Sequence, residues 1–181
     1  MKTLKELIIE RSFKKTDTPS IPLSSGKMSC FYFNMKKVTY YPAGIILIGE
    51  AIHNKIMELG LAPVAVGGET MGADPVAVAT SFTSQLKGNP IEAFSIRKEP
   101  KKHGMKLQIE GNVREGDPVI ILDDVVTTGS STIRAINVAR DHGLNILAAI
   151  VLVDRCEENG MQNIAATGVP AYSIFTVDDF I

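Results

Sequence analysis

The chain is predicted to adopt an α/β fold, with a mostly parallel central sheet, helices on both faces of that sheet and a small N-terminal flap. Short apolar runs alternate along the chain with segments whose apolar residues recur at helical spacing. The run at residues 119–122 is apolar throughout, which is typical of a strand covered on both faces. Four predicted strands are followed by polar or glycine-containing loops, which can converge on one edge of the sheet: GGETMG, RKEP, DDVVTTG and DRCEE.

Individual elements follow from apolar spacing and from turn residues. Leu4, Leu7 and Ile8 predict an amphipathic first helix, and Pro42 suits the first position of a helix whose apolar stripe ends at Gly60. The predicted elements in chain order are a helix at 2–11, short strands of an antiparallel flap at 16–34, a helix at 42–59, a strand at 64–66, a helix beginning at 75–81, a strand at 91–96, a long charged loop at 98–116, a strand at 119–122, a helix from about 132, a strand at 146–153, a short helix at 157–166 and a strand at 171–175. We expect one domain, residues 1–181, in which residues 1–40 form a helix and flap over the site.

The composition excludes several classes of protein. Lysine plus arginine number 19 and aspartate plus glutamate 20, so the net charge of −1 does not indicate a nucleic-acid or membrane surface. Cys30 and Cys156 lie far apart and outside any CxxC pattern, which favours a reducing compartment. The N-terminus lacks a long apolar core, and no apolar run approaches the roughly 18 residues of a membrane span. We therefore expect a cytoplasmic protein.

The segment at residues 119–132, VIILDDVVTTGSST, combines a buried strand, an acid pair and a hydroxyl-rich loop. Asp123 and Asp124 are expected where the strand ends, a place that suits ligand hydroxyls or a bound cation. Residues 127–131 supply hydroxyl donors and one glycine before a helix, whose N-terminal N–H groups can bind a phosphate. An ordinary strand, turn and helix is the alternative interpretation, and the lack of Gly-Lys-Ser/Thr excludes a Walker loop. The spacing fits a ribose 5-phosphate.

The residues VIILDDVVTTGSS resemble the phosphoribosyl pyrophosphate (PRPP) motif of the type I phosphoribosyltransferases. The resemblance implies the fold of that family, a catalytic role for the acid pair, and an Mg²⁺ ion held mainly by PRPP and water. The residues that it implies in PRPP binding are Asp123, Asp124, Val125, Val126, Thr127, Thr128, Gly129, Ser130 and Ser131.

The segment at residues 97–106, RKEPKKHGMK, holds five basic side chains and one acid. A solvated charged face is the usual interpretation of such a run, but a phosphate motif about twenty residues downstream favours an anion-binding loop. RKEPKKHG also resembles the mobile catalytic loop of the orotate phosphoribosyltransferases. In that family the loop closes over the neighbouring subunit, which implies a homodimer in which residues 98–112 reach the neighbouring site. The pyrophosphate-binding residues implied by the resemblance are Arg97, Lys98, Lys101 and His103, of which Lys101 and His103 are also catalytic.

Residues 151–155, VLVDR, place Arg155 at a strand end, where a buried guanidinium needs an anion. A structural ion pair between Asp154 and Arg155 is one interpretation. The resemblance to orotate phosphoribosyltransferases implies another, in which Arg155 binds the carboxylate of orotate and discriminates against uracil. Residues 23–34, LSSGKMSCFYFN, are similar to the segment that covers the pyrimidine in that family. The orotate-binding residues thus implied are Ser24, Tyr32, Phe33, Thr127 and Arg155.

Together the motifs imply transfer of the 5-phosphoribosyl group from PRPP to N1 of orotate, in the biosynthesis of UMP. Two positions depart from the family, since Ser24 and Met71 stand where some members carry a lysine. A purine phosphoribosyltransferase is one alternative, although it should lack RKEPKKHG together with Arg155. A PRPP-sensing regulator is another, but residues 1–20 are too short and too balanced in charge to form a nucleic-acid-reading extension.

Overall fold

The structure is a computed structural model that describes residues 2–22, 26–99 and 108–181. Its helices are α1 Leu4–Arg11, α2 Lys36–Thr39, α3 Pro42–Glu58, α4 Ala73–Leu86, α5 Ser130–Asp141 and α6 Gly160–Ala165. Its strands are β1 Phe13–Lys15, β2 Ile21–Pro22, β3 Met28–Ser29, β4 Phe31–Phe33, β5 Ala65–Glu69, β6 Glu92–Ile96, β7 Ile109–Glu110, β8 Pro118–Val126, β9 Asn145–Asp154 and β10 Ala171–Thr176.

The central sheet contains six of the described strands, in the order β10-β9-β8-β5-β6-β7. The neighbours from β10 to β6 pair in parallel, and β7 pairs antiparallel with β6. This confirms the mostly parallel sheet predicted from the sequence. The sequence does not predict β7, which falls inside the expected loop at 98–116, because two residues are too few to show a strand period.

Successive residues of β8 point to opposite faces of the sheet, and helices cover each face. Ile120 and Leu122 belong to the apolar cluster that includes residues of α1, α3 and α4. Val119 and Ile121 belong to a second cluster, which includes residues of α5 and α6. All four side chains are fully buried. The continuous apolar run in the sequence is therefore explained by burial on both sides of the strand.

The N-terminal region forms a helix and two small antiparallel pairs of strands. α1 begins with a capping box, in which Thr3 and Glu6 each bond the backbone N–H of the other. β1 pairs with β4 and β2 with β3, both antiparallel, as expected for the flap. Phe33 on β4 packs against Phe13 and Phe180, with ring centroids 4.9 and 5.3 Å apart. These aromatic contacts attach the flap to the main core.

The boundaries of several elements differ from the predictions, and one difference changes the place of the acid pair. β8 continues to Val126, so Asp123 and Asp124 lie within the strand and not after it. The length of β9 is the reason, since Asp123 pairs with Val151 and Val126 with Asp154, which extends the ladder through the acids. α4 and α5 each begin two residues earlier than predicted, and α6 is shorter at both ends.

α3 spans 17 residues, with Pro42 at its first turn as the sequence predicts, and it packs along α4. Ile46 on α3 and Phe82 and Leu86 on α4 are each more than half exposed. Together they line an apolar groove of about 450 Å³, which we call the α3–α4 groove. Within the described ranges, no helix has the length and apolar character needed to span a bilayer.

Candidate active site

Asp123 and Asp124 lie near the carboxyl end of β8, and α5 holds the first of them in place. Oδ2 of Asp123 accepts hydrogen bonds of 2.8 Å from the hydroxyls of Ser131 and Thr132. Oδ1 of Asp123 accepts a bond of 3.0 Å from the backbone N–H of Asp124. Asp123 is buried, whereas Asp124 is partly exposed. Asp124 is therefore the acid more open to a ligand, and Asp123 connects it to the hydroxyl-rich loop.

Burial raises the pKa of both carboxyls. Desolvation and the neighbouring charge of Asp124 raise the pKa of Asp123 from its ordinary 3.8 to about 6, although hydrogen bonds from Ser131 and Thr132 act in the opposite direction. Burial also raises the pKa of Asp124, and the positive charge of Lys36 on α2 opposes that rise. Two adjacent buried carboxyls are costly to ionise in the ligand-free protein. A cluster of this kind is typical of a functional site.

The hydroxyl-rich loop, residues 127–131, turns into α5 through a glycine. Gly129 has a φ of 79°, a left-handed conformation that other residues rarely adopt, and a Cβ atom there would approach the carbonyl oxygen of Gly160 to 2.8 Å. The hydroxyls of Thr128 and Ser130 lie 2.7 Å apart, and Asn163 on α6 donates a bond of 3.0 Å to the Thr128 carbonyl. The loop thus presents hydroxyls at the start of a 12-residue helix, whose first-turn N–H groups favour an anion, so a phosphate can bind there.

The loop after β5 meets the acid pair from the other side. Gly72 lies so close that a Cβ atom there would be 2.6 Å from Oδ1 of Asp124. Asp74, in the first turn of α4, accepts hydrogen bonds of 2.6 Å from the hydroxyls of Thr70 and Ser95. The loops after β5 and β8 therefore converge at one edge of the sheet, as expected from the sequence.

An ion pair that the sequence analysis missed joins β5 to α5. Glu69, the last residue of β5, is 7% exposed and accepts hydrogen bonds from Nε of Arg134 at 2.9 Å and from Nη2 at 2.8 Å. Two parallel bonds of this kind fix orientation as well as distance. A glutamate at the end of an apolar strand is the signal that could have indicated the pair, because a buried carboxylate needs a partner. We call this contact the Glu69–Arg134 fork.

Two of the predicted pyrophosphate-binding residues lie beside the loop after β5. Arg97 and Lys98 follow β6 and line a pocket of about 560 Å³ that residues of that loop also line. Nη1 of Arg97 lies 3.5 Å from Oε1 of Glu110 at an exposed position. Three predicted site residues lie outside the described residues, and these are Ser24, Lys101 and His103.

Arg155 lies just beyond the end of β9, beside the hydroxyl-rich loop and beneath the flap. Its backbone N–H donates a hydrogen bond of 3.0 Å to the carbonyl of Val126, the residue before that loop. Its side chain is buried, and Nη2 donates to the carbonyl of Phe31 at 2.6 Å and to Oγ of Ser29 at 3.1 Å. The structure thus brings Arg155, the flap and the end of β8 together.

The acid paired with Arg155 is Glu157, whose Oε2 lies 2.8 Å from Nη2. The alternative interpretation, an ion pair between Asp154 and Arg155, is wrong for these described residues. Oδ1 of Asp154 instead accepts a hydrogen bond of 2.9 Å from the backbone N–H of Cys156. A carboxylate two residues after the arginine is the sequence signal that could have indicated Glu157.

Tyr32 and Phe33 lie on opposite sides of β4. Tyr32 is 40% exposed, whereas Phe33 is 7% exposed and packs in the aromatic core. The expectation that both rings flank a base stays a prediction; because adjacent residues of a strand point to opposite faces, the two rings could not approach a base from the same side. Val126 is also buried in the core, so any contact with PRPP would come from its backbone, and Val125 is partly exposed.

No protein-family model matches the chain. The chain is 46% identical to an orotate phosphoribosyltransferase of Aquifex aeolicus over 178 residues, which cover 98% of this chain and 96% of that relative. The chain belongs to the orotate phosphoribosyltransferase family. An orotate phosphoribosyltransferase of Bradyrhizobium sp. is 37% identical over 182 residues, which cover 98% of this chain and 95% of that relative.

Solved structures of orotate phosphoribosyltransferases share the fold. The Mycobacterium tuberculosis enzyme in complex with Fe(III) dicitrate is 32% identical, with a TM-score of 0.83 over 98% of this chain and 96% of the other. The same enzyme in complex with PRPP is 29% identical, with a TM-score of 0.79 over 98% and 96% of the two chains. An adenine phosphoribosyltransferase of Leishmania tarentolae, 13% identical over 99% of this chain and 90% of its own, is alike in fold alone, with a TM-score of 0.67. The predicted type I phosphoribosyltransferase fold is confirmed.

Proposed function

We propose that the protein transfers the 5-phosphoribosyl group from PRPP to N1 of orotate, giving orotidine 5′-phosphate and pyrophosphate in the biosynthesis of UMP. The observation that carries this proposal is that a group suited to a carboxylate and a loop suited to a phosphate lie side by side at one edge of the sheet. The buried guanidinium of Arg155 suits a carboxylate, and the backbone N–H of Arg155 bonds the carbonyl of Val126, the residue before the hydroxyl-rich loop. Membership in the orotate phosphoribosyltransferase family supports the same reaction.

The acid pair and the hydroxyl-rich loop are the proposed site for the ribose 5-phosphate of PRPP. Asp123 and Asp124 offer carboxylate oxygens, which accept hydrogen bonds from ribose hydroxyls. Residues 127–131 offer N–H groups and hydroxyls at the start of α5, where the helix dipole favours an anion. Ser131 donates to Asp123 at 2.8 Å, so the two parts of the site are joined. Holding both ends of the sugar would remove much of the entropic barrier to attack at C1.

The basic segment is the proposed site for pyrophosphate. As the bond from C1 to pyrophosphate lengthens, negative charge grows on the leaving oxygens, and nearby cations stabilise it. Arg97 and Lys98 border the pocket beside the loop after β5, which supports this assignment. Lys101 and His103 complete the set on the basis of the resemblance, with Lys101 the most important for rate.

Orotate is proposed to bind between Arg155 and the flap. The guanidinium would pair with the orotate carboxylate, and Thr127, the residue after Val126, would bond the pyrimidine. Tyr32 is partly exposed on the flap and would cover the base, with Ser24 assigned to the same cover by resemblance. Uracil lacks the carboxylate and would leave the arginine without its ligand partner.

Mg²⁺ is proposed to arrive bound to PRPP. This ion usually keeps several waters and substrate phosphates as ligands, and carboxylate oxygens suit it as further acceptors. Asp123 and Asp124 have this chemistry, and in the described part of the chain no three His, Cys, Asp or Glu side chains form a metal-ligand cluster. When bound, the ion would neutralise charge on the leaving pyrophosphate.

A homodimer is proposed, in which residues 98–112 reach the neighbouring site. The α3–α4 groove supports it, because the exposed side chains of Ile46, Phe82 and Leu86 form an apolar surface of the kind that marks an interaction site. α4 begins one residue after Gly72, which touches the acid pair. A second subunit seated in the groove would contact α4 from Val78 onward, and it would have to extend along the helix to its first turn to reach the site.

The protein is proposed to act in the cytoplasm as one domain, residues 1–181, with residues 1–40 over the site. Cys30 and Cys156 are both free, which suits a reducing compartment. The hydrogen bonds from Arg155 to Ser29 and Phe31 support a flap that covers the orotate position.

Mixing the protein with Mg²⁺, PRPP and orotate tests the proposed reaction. We expect loss of orotate absorbance together with an equal amount of pyrophosphate, and no change when PRPP is omitted. Parallel assays with hypoxanthine and adenine test the purine alternative. Salt-dependent binding of RNA or DNA without turnover of any base would instead favour a PRPP-sensing regulator.

A further inference from the structure

The contact between Arg155 and Glu157 is part of a three-residue network that includes the flap. Oγ of Ser29 donates to Oε1 of Glu157 at 2.6 Å and accepts from Nη2 of Arg155 at 3.1 Å. The same Oγ accepts from the backbone N–H of Phe31 at 3.0 Å. Glu157 therefore holds both the arginine and the residue that fixes the conformation of the flap.

The pairing of Arg155 with Glu157 is incomplete. Nη2 carries two hydrogens, and these go to Ser29 and Phe31, so Oε2 of Glu157 lies 2.8 Å away without accepting an aligned bond. Nε of Arg155 is buried and has no hydrogen-bond partner in the described structure. An unsatisfied buried donor or acceptor is costly, and more so beside a charge. The contact therefore leaves both charged groups short of hydrogen bonds.

The Glu69–Arg134 fork shows how a complete pair forms in the same chain. There, Nε and Nη2 of the arginine each donate to one carboxylate oxygen, at 2.9 and 2.8 Å. In Arg155, the corresponding Nε has no acceptor in the structure as described. Both hydrogens of Nη2 are taken by Ser29 and Phe31, and Oε2 of Glu157 occupies the approach to that atom. A ligand carboxylate could therefore bond Nε and Nη2 together only if Glu157 moved away and Ser29, which is bonded to Glu157, released its hydrogen of Nη2.

We propose that Glu157 is a positioning residue that acts through Arg155 as an internal competitor for the substrate carboxylate. This inference rests on the proposed function, in which Arg155 binds orotate. Without substrate, Glu157 keeps the guanidinium neutralised and holds Ser29 of the flap. An incoming carboxylate displaces Glu157, and with it Ser29, from Nη2. It then accepts one hydrogen bond from Nε and one from the Nη2 hydrogen that Ser29 has released. A neutral pyrimidine offers no replacement charge and leaves the internal pair in place.

Glu157→Gln tests the proposal through steady-state kinetics with orotate and PRPP varied separately. Loss of the competing charge should lower the KM for orotate by about tenfold, the scale of one charge-assisted hydrogen bond, while kcat and the KM for PRPP stay unchanged. The matched control is Glu158→Gln, which removes the neighbouring carboxylate that pairs with Lys27 and should leave all three parameters as in the parent protein. A purely structural role would not lower one KM alone.

A KM for orotate that is unchanged or raised in Glu157→Gln would overturn the proposal. An unchanged KM would mean that Glu157 does not affect orotate binding, and a raised KM would mean that Glu157 favours it. If that variant fails to fold, Glu157→Asp gives a second test. It keeps the charge but withdraws the carboxylate from Nη2 by one methylene, so it should also lower the KM for orotate, and failure to do so counts against the proposal. The proposed function fails separately, if the parent protein does not convert orotate or if Arg155→Ala keeps the same KM for orotate.

Discussion

Replacing Asp123 with asparagine should remove one pH-dependent contribution from the stability of the ligand-free protein. The side chain is 6% exposed, and burial together with the charge of Asp124 raises its pKa from 3.8 to about 6. The folded state therefore binds more protons at this position than the unfolded state between about pH 4 and pH 6. Its contribution to the free energy of unfolding is greatest below pH 3.8 and is lost as the pH rises through about 6.

The size of the effect follows from the two pKa values. At about 1.4 kcal/mol for each pH unit between 3.8 and about 6, the loss is on the order of 3 kcal/mol. Asparagine keeps an acceptor and a donor for the hydroxyls of Ser131 and Thr132 but does not titrate. The difference in free energy of unfolding, variant minus parent, should therefore increase by about 3 kcal/mol as the pH rises from 4 to 7.

Urea unfolding followed by far-UV circular dichroism at pH 4, 5, 6 and 7 measures this difference, and the chain has no tryptophan for a fluorescence assay. Asp141→Asn, at an exposed position on α5, is the matched control and should follow the parent protein. Contributions from acids that do not interact with Asp123 cancel in the comparison, whereas Asp124, whose charge acts on Asp123, responds to the substitution as well. Parallel curves for Asp123→Asn and the parent protein across this range would refute the argument that burial makes Asp123 costly to ionise.

Three further predictions concern activity and assembly. Arg155→Ala should raise the KM for orotate by on the order of 100-fold and leave the KM for PRPP unchanged, because only orotate loses its charged partner. Equal effects on the two KM values would contradict the assignment of Arg155 to the orotate carboxylate. Lys101→Ala should lower kcat by on the order of 10²- to 10³-fold with little change in orotate binding by calorimetry, and unchanged turnover would exclude its assigned role. Phe82→Glu should shift the protein towards monomers in sedimentation velocity, with Glu92→Gln as a control away from the α3–α4 groove; a stable dimer would place the interface elsewhere.

The sequence predicted the central sheet well because its strongest signals are uninterrupted apolar runs. β8 and β9 are buried on both faces, and such strands show little else than apolar residues. The predicted end of the strand was wrong: the prediction ended it at residue 122, before the acid pair, whereas β8 continues to Val126. The reason is that Asp123 pairs with Val151 and Val126 with Asp154, which continues the ladder through the acids. Cross-strand pairing of this kind depends on a partner far along the chain, which local patterns do not reveal.

The site was predicted less completely than the fold, for reasons that differ between residues. Phe33 was assigned to a base-stacking position although strand alternation separates its ring from that of Tyr32. Glu69 and Arg134 lie 65 positions apart, and neither has a local motif that indicates the other. Glu157 stands two residues from Arg155 and could have been noticed, but only the structure shows that the two side chains meet within 2.8 Å.

The Glu69–Arg134 fork also has a consequence for the rigidity of this edge of the sheet. It ties the last residue of β5 to α5, so the loops that follow β5 and β8 cannot separate without breaking two hydrogen bonds of 2.8 and 2.9 Å. The spacing between these two loops is therefore set by the scaffold before any ligand arrives.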